Sequence, residues 1–185
     1  MKAICISGSR NPNGQTASAA KAIIDGLSAE GVQCEQFFLP AMRIERCRQC
    51  DERGWGICRT EGKCVIEDDF AELADRIRQA DVVVFANPVY FADLSESLRA
   101  FLDRLRRVTR HDDGKTGIVE TPTVGVCVAG GGGGGAPFCC MSLERVLATC
   151  GFDVLDMIAV RRQNLQAKLA RLELAGQSLA EDAGK

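Results

Sequence analysis

The sequence predicts an α/β protein with a doubly wound, five-stranded parallel sheet and helices on both faces. Five short apolar segments alternate with helix-forming segments, which is typical of strands joined by right-handed helical crossovers. The segment DVVVFA at 81–86 is apolar without interruption, as in a parallel strand that is buried on both faces. The chain has 185 residues, of which 46% are hydrophobic, so we expect one domain over 1–185.

The predicted elements follow from apolar runs and from the residues that bound them. The predicted strands cover 2–7, 32–39, 81–86, 123–129 and 152–160. The predicted helices cover 16–31, 70–80, 95–108, 138–151 and 163–182. In the third helix, one face carries Leu98, Phe101, Leu102, Leu105 and Val108. Gly31 is expected near the C-cap of the first helix, and Asp69 with Glu72 is expected to form a capping box on the second.

Composition and charge exclude several classes of function. The net charge is -2 and the pI is about 5.5, which argues against nucleic acid as a partner. No segment approaches the roughly 20 apolar residues of a membrane helix, and the first apolar run is too short for a signal peptide. We therefore expect a cytoplasmic protein without a membrane partner. There, ten cysteines are expected to be free thiols, ligands or redox groups rather than disulfides.

Ligands of such sheets bind beyond the carboxyl ends of the strands, so the loops after the first, third and fourth strands carry the functional signal. The first loop, GSRNPNGQT at 8–16, leads into a helix whose N-terminal N–H groups suit a phosphate. Ser9, Gln15 and Thr16 add side-chain donors, and Gly14 allows close approach. The loop contains no lysine, and its hydroxyls and backbone amides suit a phosphate that is held mainly by neutral donors. An ordinary capped turn is the alternative.

The other two loops suit a flat ligand and its polar edge. Tyr90 and Phe91 directly follow the third strand, where two rings could cover a planar group or pack on a neighbouring element. The six glycines at 130–135 permit unusual backbone angles and let N–H groups approach a ligand edge. A flexible loop is the alternative for this glycine run.

Together these loops resemble the flavodoxin-like, NADPH-dependent FMN reductase family, over about 2–160. That family typically has Gly-Ser-Pro-Arg with a later Gly-Asn-Thr, then Ser-Pro-Val-Tyr-Phe, then a Gly-Gly loop. This chain departs from the pattern at Arg10, where proline is usual, at Asn11, where arginine is common, and at Gln15, where asparagine is usual. The first-loop resemblance is therefore stronger at Ser9 and Thr16.

The resemblance implies a flavodoxin-like fold that binds FMN and accepts hydride from NAD(P)H. It implies that the flavin is bound by Ser9, Arg10, Gly14, Gln15, Thr16, Pro88, Val89, Tyr90, Phe91, Ala92, Gly130, Gly131 and Gly132. No catalytic side chain is expected, because the flavin supplies the redox chemistry. The resemblance also implies a homodimer or homotetramer.

A cysteine-rich insert at 41–67 interrupts the alternation of strands and helices. Cys47, Cys50, Cys58 and Cys64 have the spacing C-x2-C-x7-C-x5-C, and four thiolates can hold a [4Fe–4S] cluster or a zinc ion. The absence of any metal is the third alternative. The segment, with its ending CVIEDD, resembles the iron–sulfur flavoproteins, whose usual spacing is C-x2-C-x2-C-x5-C. Because the insert follows the second strand, we expect it at the same sheet edge as the flavin loops.

Two main functions follow from these patterns. The first is an FMN-dependent oxidoreductase that uses NAD(P)H to reduce a flavin, a quinone or another small acceptor. The second is an iron–sulfur flavoprotein that carries electrons from ferredoxin or another redox protein. A zinc-stapled binding module is a third, non-redox hypothesis. His111, the single histidine, is expected in a solvated polar loop, so a histidine-based triad is not supported.

Overall fold

The computed structural model of the protein describes residues 1–109, 118 and 120–184; His111 lies outside these residues. The five strands are β1 (Lys2–Ser7), β2 (Gln33–Phe38), β3 (Val82–Pro88), β4 (Pro122–Ala129) and β5 (Asp153–Arg161). The five helices are α1 (Gln15–Ala29), α2 (Phe70–Arg78), α3 (Glu96–Thr109), α4 (Ala136–Cys150) and α5 (Leu165–Ala183). Each predicted strand and helix is present, with ends that shift by a few residues.

All five strands are parallel and lie in the order β2-β1-β3-β4-β5. This is the flavodoxin-like order, in which the chain moves outward from β1 in one direction and then returns to continue in the other. The connections after β1 and β3 therefore diverge, and a crevice opens between them at the carboxyl edge of the sheet.

The core has two layers, one on each face of the sheet. On one face α1 and α5 pack through residues such as Ile23, Leu27 and Leu172. On the other face α2, α3 and α4 pack through residues such as Phe70, Phe101 and Leu143. Every residue of β3 is buried, because its side chains alternate between the two layers. This confirms the expectation from the apolar run at 81–86.

Two glycines let α1 and α5 approach closely. A Cβ atom built on Gly26 would lie 2.0 Å from the carbonyl oxygen of Glu173, and one on Gly176 would lie 2.1 Å from that of Ile23. These distances leave no room for a methyl group, so the contact requires glycine on both helices. The close packing joins the last turn of α1 to the second half of α5.

The predicted capping box at the start of α2 is wrong. Asp69 makes no capping bond; its Oδ2 instead accepts the N–H of Arg43 at 2.7 Å. Asp68 Oδ1 accepts the N–H of Phe70 at 3.2 Å, and its Oδ2 accepts the N–H of Glu45, in the insert, at 2.7 Å. Both carboxylates thus fasten the start of α2 to the cysteine-rich insert. The insert has one short 3-10 turn, Ile57–Arg59. No helix in the described part of the chain is long and apolar enough to cross a membrane.

Candidate functional site

A cavity of about 930 Å³ opens at the carboxyl edge of the sheet, where the loops after β1, β3 and β4 meet. We refer to it as the edge cavity. Its volume lies in the range of small-molecule and cofactor sites. Nine of the predicted flavin residues line it: Ser9, Gly14, Gln15, Thr16, Pro88, Val89, Tyr90, Gly130 and Gly131. Three segments that are far apart in the sequence therefore contribute to one site.

The β1–α1 loop presents unpaired donors to the edge cavity. The N-cap of α1 is Gly14, which offers no capping side chain, and the N–H of Ser18 donates to the Gly14 carbonyl at 2.9 Å. The N–H groups of Gln15, Thr16 and Ala17 thus precede the first intrahelical bond and carry the positive end of the helix dipole. Thr16 is only 5% exposed and lines the cavity. This arrangement suits a phosphate group, as the sequence predicted.

The β3–α3 loop forms a tight turn with strained backbone. Tyr90 and Asp93 exchange two backbone hydrogen bonds of 3.1 and 2.9 Å, while Phe91 and Ala92 have φ angles of 50° and 63°. Positive φ is unusual for residues other than glycine. Such strain, of order 1–3 kcal/mol per residue, persists where the surroundings fix the backbone. The turn places the half-exposed Tyr90 ring at the mouth of the edge cavity.

The glycine loop after β4 leaves open space for a ligand. A Cβ atom on Gly130, Gly131 or Gly134 would meet nothing within 4 Å, and all three residues line the edge cavity. Gly135 has another function, because a Cβ there would lie 2.7 Å from the backbone of Ala92. The glycine loop is therefore packed against the strained turn, while its first part faces the cavity.

Asn87, a residue that sequence reasoning missed, lies at the end of β3 and connects the β3–α3 loop to α4. Its side chain is fully buried; it donates to the carbonyl of Pro88 at 2.8 Å and to Cys139 Sγ at 3.1 Å, and accepts the N–H of Ser95 at 3.0 Å. Ser95 in turn packs on Gly8, where a Cβ would lie 2.3 Å from the Ser95 hydroxyl. The position of Asn87 at the end of an apolar run was a signal of such a role.

Four predicted flavin residues lie outside the edge cavity. Arg10 lines a neighbouring groove between the β1–α1 loop and the segment 38–44. Phe91 projects entirely into solvent. Ala92 packs against the glycine loop, and Gly132 is not part of the lining. Among the predicted pair of rings, Tyr90 alone borders the cavity.

Arg162 is a lining residue that the sequence did not indicate. It begins a short 3-10 turn, Arg162–Asn164, between β5 and α5. The neighbouring Gln163 side chain donates to the carbonyl of Gly131 at 3.1 Å, which holds the turn against the glycine loop. Among the described residues, Arg162 is the one charged side chain that lines the edge cavity. Its positive charge matches a phosphate-bearing ligand.

The four cysteines of the insert line a second, much smaller cavity of about 20 Å³, which we call the cysteine cavity. Cys47, Cys58 and Cys64 are half-buried and Cys50 is exposed; all four are free thiols. In the described part of the chain, no three metal-ligating side chains already stand at metal-binding geometry. A cavity of this size holds about one water molecule, so a cluster would have to spread the thiols apart.

An arginine of α3 anchors both ends of the insert. Arg104 is 1% exposed and donates to both oxygens of Asp68, at 2.6 and 2.8 Å, and to the carbonyl of Glu45 at 3.0 Å. Its guanidinium lies 4.1 Å from the ring centroid of Phe70. Burial alone would raise the pKa of Asp68, but hydrogen bonds from Arg104 and from the backbone outweigh it and lower that pKa.

The insert begins at the carboxyl edge of the sheet, as expected, but the cysteine cavity lies along α3. The start of the insert does reach the carboxyl edge, where segment 38–44 faces Ser9 and Arg10 across a groove. The cysteine cavity, however, is lined by Arg104, Arg107 and Val108, near the far end of α3. These residues lie about 12–18 Å along the helix axis from Glu96. The insert thus runs back along α3, away from the edge cavity.

The remaining cysteines are core residues. Cys5 and Cys150 are buried, and burial raises the pKa of each thiol to about 12. Cys127, Cys139 and Cys140 are also buried, and hydrogen bonds to the other two raise the pKa of Cys127 well above its ordinary value. Cys34, on β2, is half-buried. The raised pKa values keep the thiols of Cys5, Cys127 and Cys150 protonated, and such thiols are poor nucleophiles.

With this geometry established, the chain can be placed among known proteins. Residues 1–168 match the family described as NADPH-dependent FMN reductase, and the chain belongs to this family. A flavodoxin structure from the domain Archaea superposes with a TM-score of 0.65 at 14% identity, over 100% of both chains. At that identity the likeness concerns the fold alone, and it confirms the predicted flavodoxin-like architecture.

Two curated relatives show which members of this family the chain resembles. An iron–sulfur flavoprotein of Methanocaldococcus jannaschii is 34% identical over 106 residues, 57% of this chain and 52% of that protein. A Bacillus subtilis protein named as an NAD(P)H-dependent FMN-containing oxidoreductase is 27% identical over 110 residues, 60% of this chain and 55% of that protein. The chain spans about half the length of the curated relatives that it matches. The predicted resemblance to iron–sulfur flavoproteins of this family is confirmed.

The Arg104–Asp68 pair makes a testable prediction about stability. The substitution Arg104→Met leaves the Asp68 carboxylate buried without its partner, so we expect a loss of about 3–5 kcal/mol in the free energy of unfolding. The double variant Arg104→Met with Asp68→Asn should recover part of this loss. Arg76→Met, which breaks exposed ion pairs, is the control and should have little effect. Urea unfolding followed by circular dichroism measures all four proteins.

The Arg104–Asp68 pair also predicts how the stability of the protein changes with pH. Because the folded pKa of Asp68 is lowered, its contribution is present above about pH 3.9, the usual Asp pKa, and is lost as the pH falls through the folded pKa. Acid should therefore destabilise the wild type more than the double variant. If Arg104→Met is as stable as the wild type at pH 7, the Arg104–Asp68 pair does not anchor the insert.

Proposed function

We propose that the protein binds one FMN in the edge cavity and acts as an FMN-dependent oxidoreductase that transfers electrons from NAD(P)H to a small acceptor, such as a quinone or a free flavin. The observation that carries this proposal is the convergence of three predicted loops on one cavity, with uncapped helix N–H groups at one end. Membership of the FMN reductase family supports the same cofactor.

The residues of the edge cavity divide into a phosphate end and a ring end. At the phosphate end, hydrogen bonds to the phosphate oxygens would come from the first three N–H groups of α1, those of Gln15, Thr16 and Ala17. The hydroxyls of Ser9 and Thr16 would donate to the same oxygens. Across the opening, Arg162 would add a positive charge. This charge would supplement the mainly neutral donors that the sequence predicts.

At the ring end, the chain contributes shape and backbone donors. The strained turn places Tyr90 over the mouth of the cavity, and Pro88 and Val89 form one wall. The open glycine loop brings backbone N–H groups to the opposite wall, where they would stabilise negative charge on the ring edge. When bound, the flavin supplies hydride and single-electron chemistry. No acidic or histidine side chain lines the cavity within the described residues, so these residues bind and orient.

The acceptor and the reductant would enter through the mouth of the edge cavity. Four exposed apolar side chains lie on the adjoining segments: Tyr90 and Phe91 on the strained turn, and Phe138 and Met141 in the first half of α4. The contact of Gly135 with Ala92 joins this turn to the start of α4. Exposed apolar groups around a cleft are typical of binding surfaces. They support both an apolar acceptor and the homodimer or homotetramer that the family resemblance implies.

We also propose that Cys47, Cys50, Cys58 and Cys64 hold a [4Fe–4S] cluster. The donor set of four thiols on one cavity matches this cluster type. In the described part of the chain, just two buried side-chain polar atoms lack a partner, Nε of Arg104 and Nε of Arg107, and both arginines line this cavity. Buried, unpaired donors suit an anionic group with acceptor sulfurs. The iron–sulfur flavoproteins among the relatives support the same assignment.

A cluster would favour the second candidate function, an electron carrier fed by ferredoxin or a similar redox protein. An arginine-rich groove beside Cys47 supports this function, because it is lined by Arg46, Arg48, Arg106 and Arg107 and by one acid, Asp103. Such a surface would attract a redox protein with an acidic face. The cluster would relay single electrons, whereas the enzyme without a cluster would take hydride directly from NAD(P)H.

The phosphate end gives the first functional test. Thr16→Ala removes one hydrogen bond to a charged phosphate, worth about 1.5–3 kcal/mol, and should weaken FMN binding by roughly 10- to 150-fold. Binding of riboflavin, which has no phosphate, should change little. Fluorescence titration of the apoprotein measures both ligands. Thr149→Ala, on the far end of α4, removes a comparable hydroxyl bond and serves as the control. An FMN affinity that Thr16→Ala leaves unchanged would place the phosphate elsewhere.

Metal analysis gives the second test. After anaerobic reconstitution we expect about four iron and four sulfide per chain. Cys50→Ser should lower this count while FMN remains bound, since the edge cavity is a separate site. Cys34→Ser, outside the insert, should retain the full count. If the wild type takes up zinc or no metal, the electron-carrier function is excluded, and the NAD(P)H-dependent reductase without a cluster becomes the better account.

A further inference from the structure

Two arginines that line the cysteine cavity carry buried donors without a partner in the part of the chain that the structure describes. Arg104 and Arg107 lie three residues apart on α3 and therefore share one helix face. Both line the cavity together with the four cysteines. The Nε atoms of both side chains are buried without a hydrogen-bond partner within the described residues. Buried donors are paired in nearly all proteins, so these two indicate a group that the thiols and arginines surround together.

Several contacts hold the Arg104 guanidinium in one place beside the cysteine cavity. Its terminal nitrogens are engaged with both Asp68 oxygens and with the carbonyl of Glu45, and its plane lies over Phe70. The side chain is 1% exposed. Each of these contacts fixes the guanidinium plane and with it the direction of the Nε–H bond.

Arg107 is held in a similar way by the other side of the insert. Its Nη1 donates to the carbonyl of Gly54 at 2.5 Å. Its guanidinium lies 4.7 Å from the ring centroid of Trp55, a cation–π distance. Gly54 and Trp55 belong to the segment between Cys50 and Cys58 that is longer than in the usual iron–sulfur flavoprotein spacing. The added residues thus provide the contacts that hold Arg107 against the cavity.

We propose that Arg104 and Arg107 set the reduction potential of the four-thiolate centre by donating Nε–H hydrogen bonds to it and by placing two positive charges beside it. This inference rests on the proposed cluster. One-electron reduction adds one negative charge to the centre and requires no bond to break. Nearby cations and hydrogen bonds to sulfur stabilise the more negative state. The two arginines therefore raise the potential and make the centre easier to reduce by a ferredoxin-type donor.

Arg107 is the better residue for a test, because loss of Arg104 also releases the anchor at Asp68. We expect Arg107→Met to shift the midpoint potential of the cluster to a more negative value, and Arg107→Lys, which retains the charge, to shift it less. Arg76→Met is the matched control, since it also removes one positive charge, and Arg76 pairs with Glu35 and Glu72 at 2.9 Å and lines neither the cysteine cavity nor the arginine-rich groove. Its potential should stay close to that of the wild type. Anaerobic redox titration, followed by absorbance and electron paramagnetic resonance, gives the potentials directly.

The iron content of each protein distinguishes failure of the cluster proposal from failure of the inference about the arginines. Each protein is analysed for iron and sulfide before titration, so that only fully loaded samples are compared. Equal loading with the same potential in Arg107→Met and the wild type would overturn the inference and leave the cluster proposal intact. A wild type that takes up no iron would overturn both. A shift as large in Arg76→Met as in Arg107→Met would show a general charge effect and would also overturn the specific role.

Discussion

The strand order β2-β1-β3-β4-β5 is the constraint on which the rest of this molecule depends. Because the chain leaves β1 in one direction and continues from β3 in the other, the two following loops separate and open a crevice. Without a crevice, other groups of the protein would have to accept the hydrogen bonds of the N–H groups at the start of α1. Here the crevice leaves them free, with Gly14 in place of a capping side chain. The fold thus creates an anion site before any particular side chain is considered.

Around this crevice the chain uses buried polar residues to fix its loops. Asn87 bonds both to the β3–α3 loop and to a core thiol of α4, so the two walls of the edge cavity share one anchor. Arg104 has the same function for the cysteine-rich insert, whose two ends it ties to α3. Neither residue touches the proposed flavin. Each holds backbone that otherwise has few hydrogen bonds of its own.

Sequence reasoning identified the strands and helices because apolar periodicity determines which faces are buried. It also identified most of the edge cavity, since glycine after a strand allows a ligand to approach closely and serine and threonine there can donate hydrogen bonds to it. It missed Arg162, because nothing in the local pattern indicates that the end of β5 folds against the glycine loop. It did not predict that the cysteines lie beside the C-terminal half of α3, since the direction of an insert without regular structure depends on tertiary contacts such as Arg104 with Asp68. The capping box was wrong for the same reason: Asp69 bonds to distant backbone at Arg43.

The central claim is that the edge cavity is an FMN site. The most direct measurement is to denature the protein after purification, with and without prior incubation with FMN, and to identify the released flavin by chromatography. The account predicts about one FMN per chain, bound to native protein and absent from a sample whose cavity is blocked by Gly130→Leu, since Gly130 faces open space there. A wild type that retains no FMN after incubation, or that prefers riboflavin to FMN, would contradict the account.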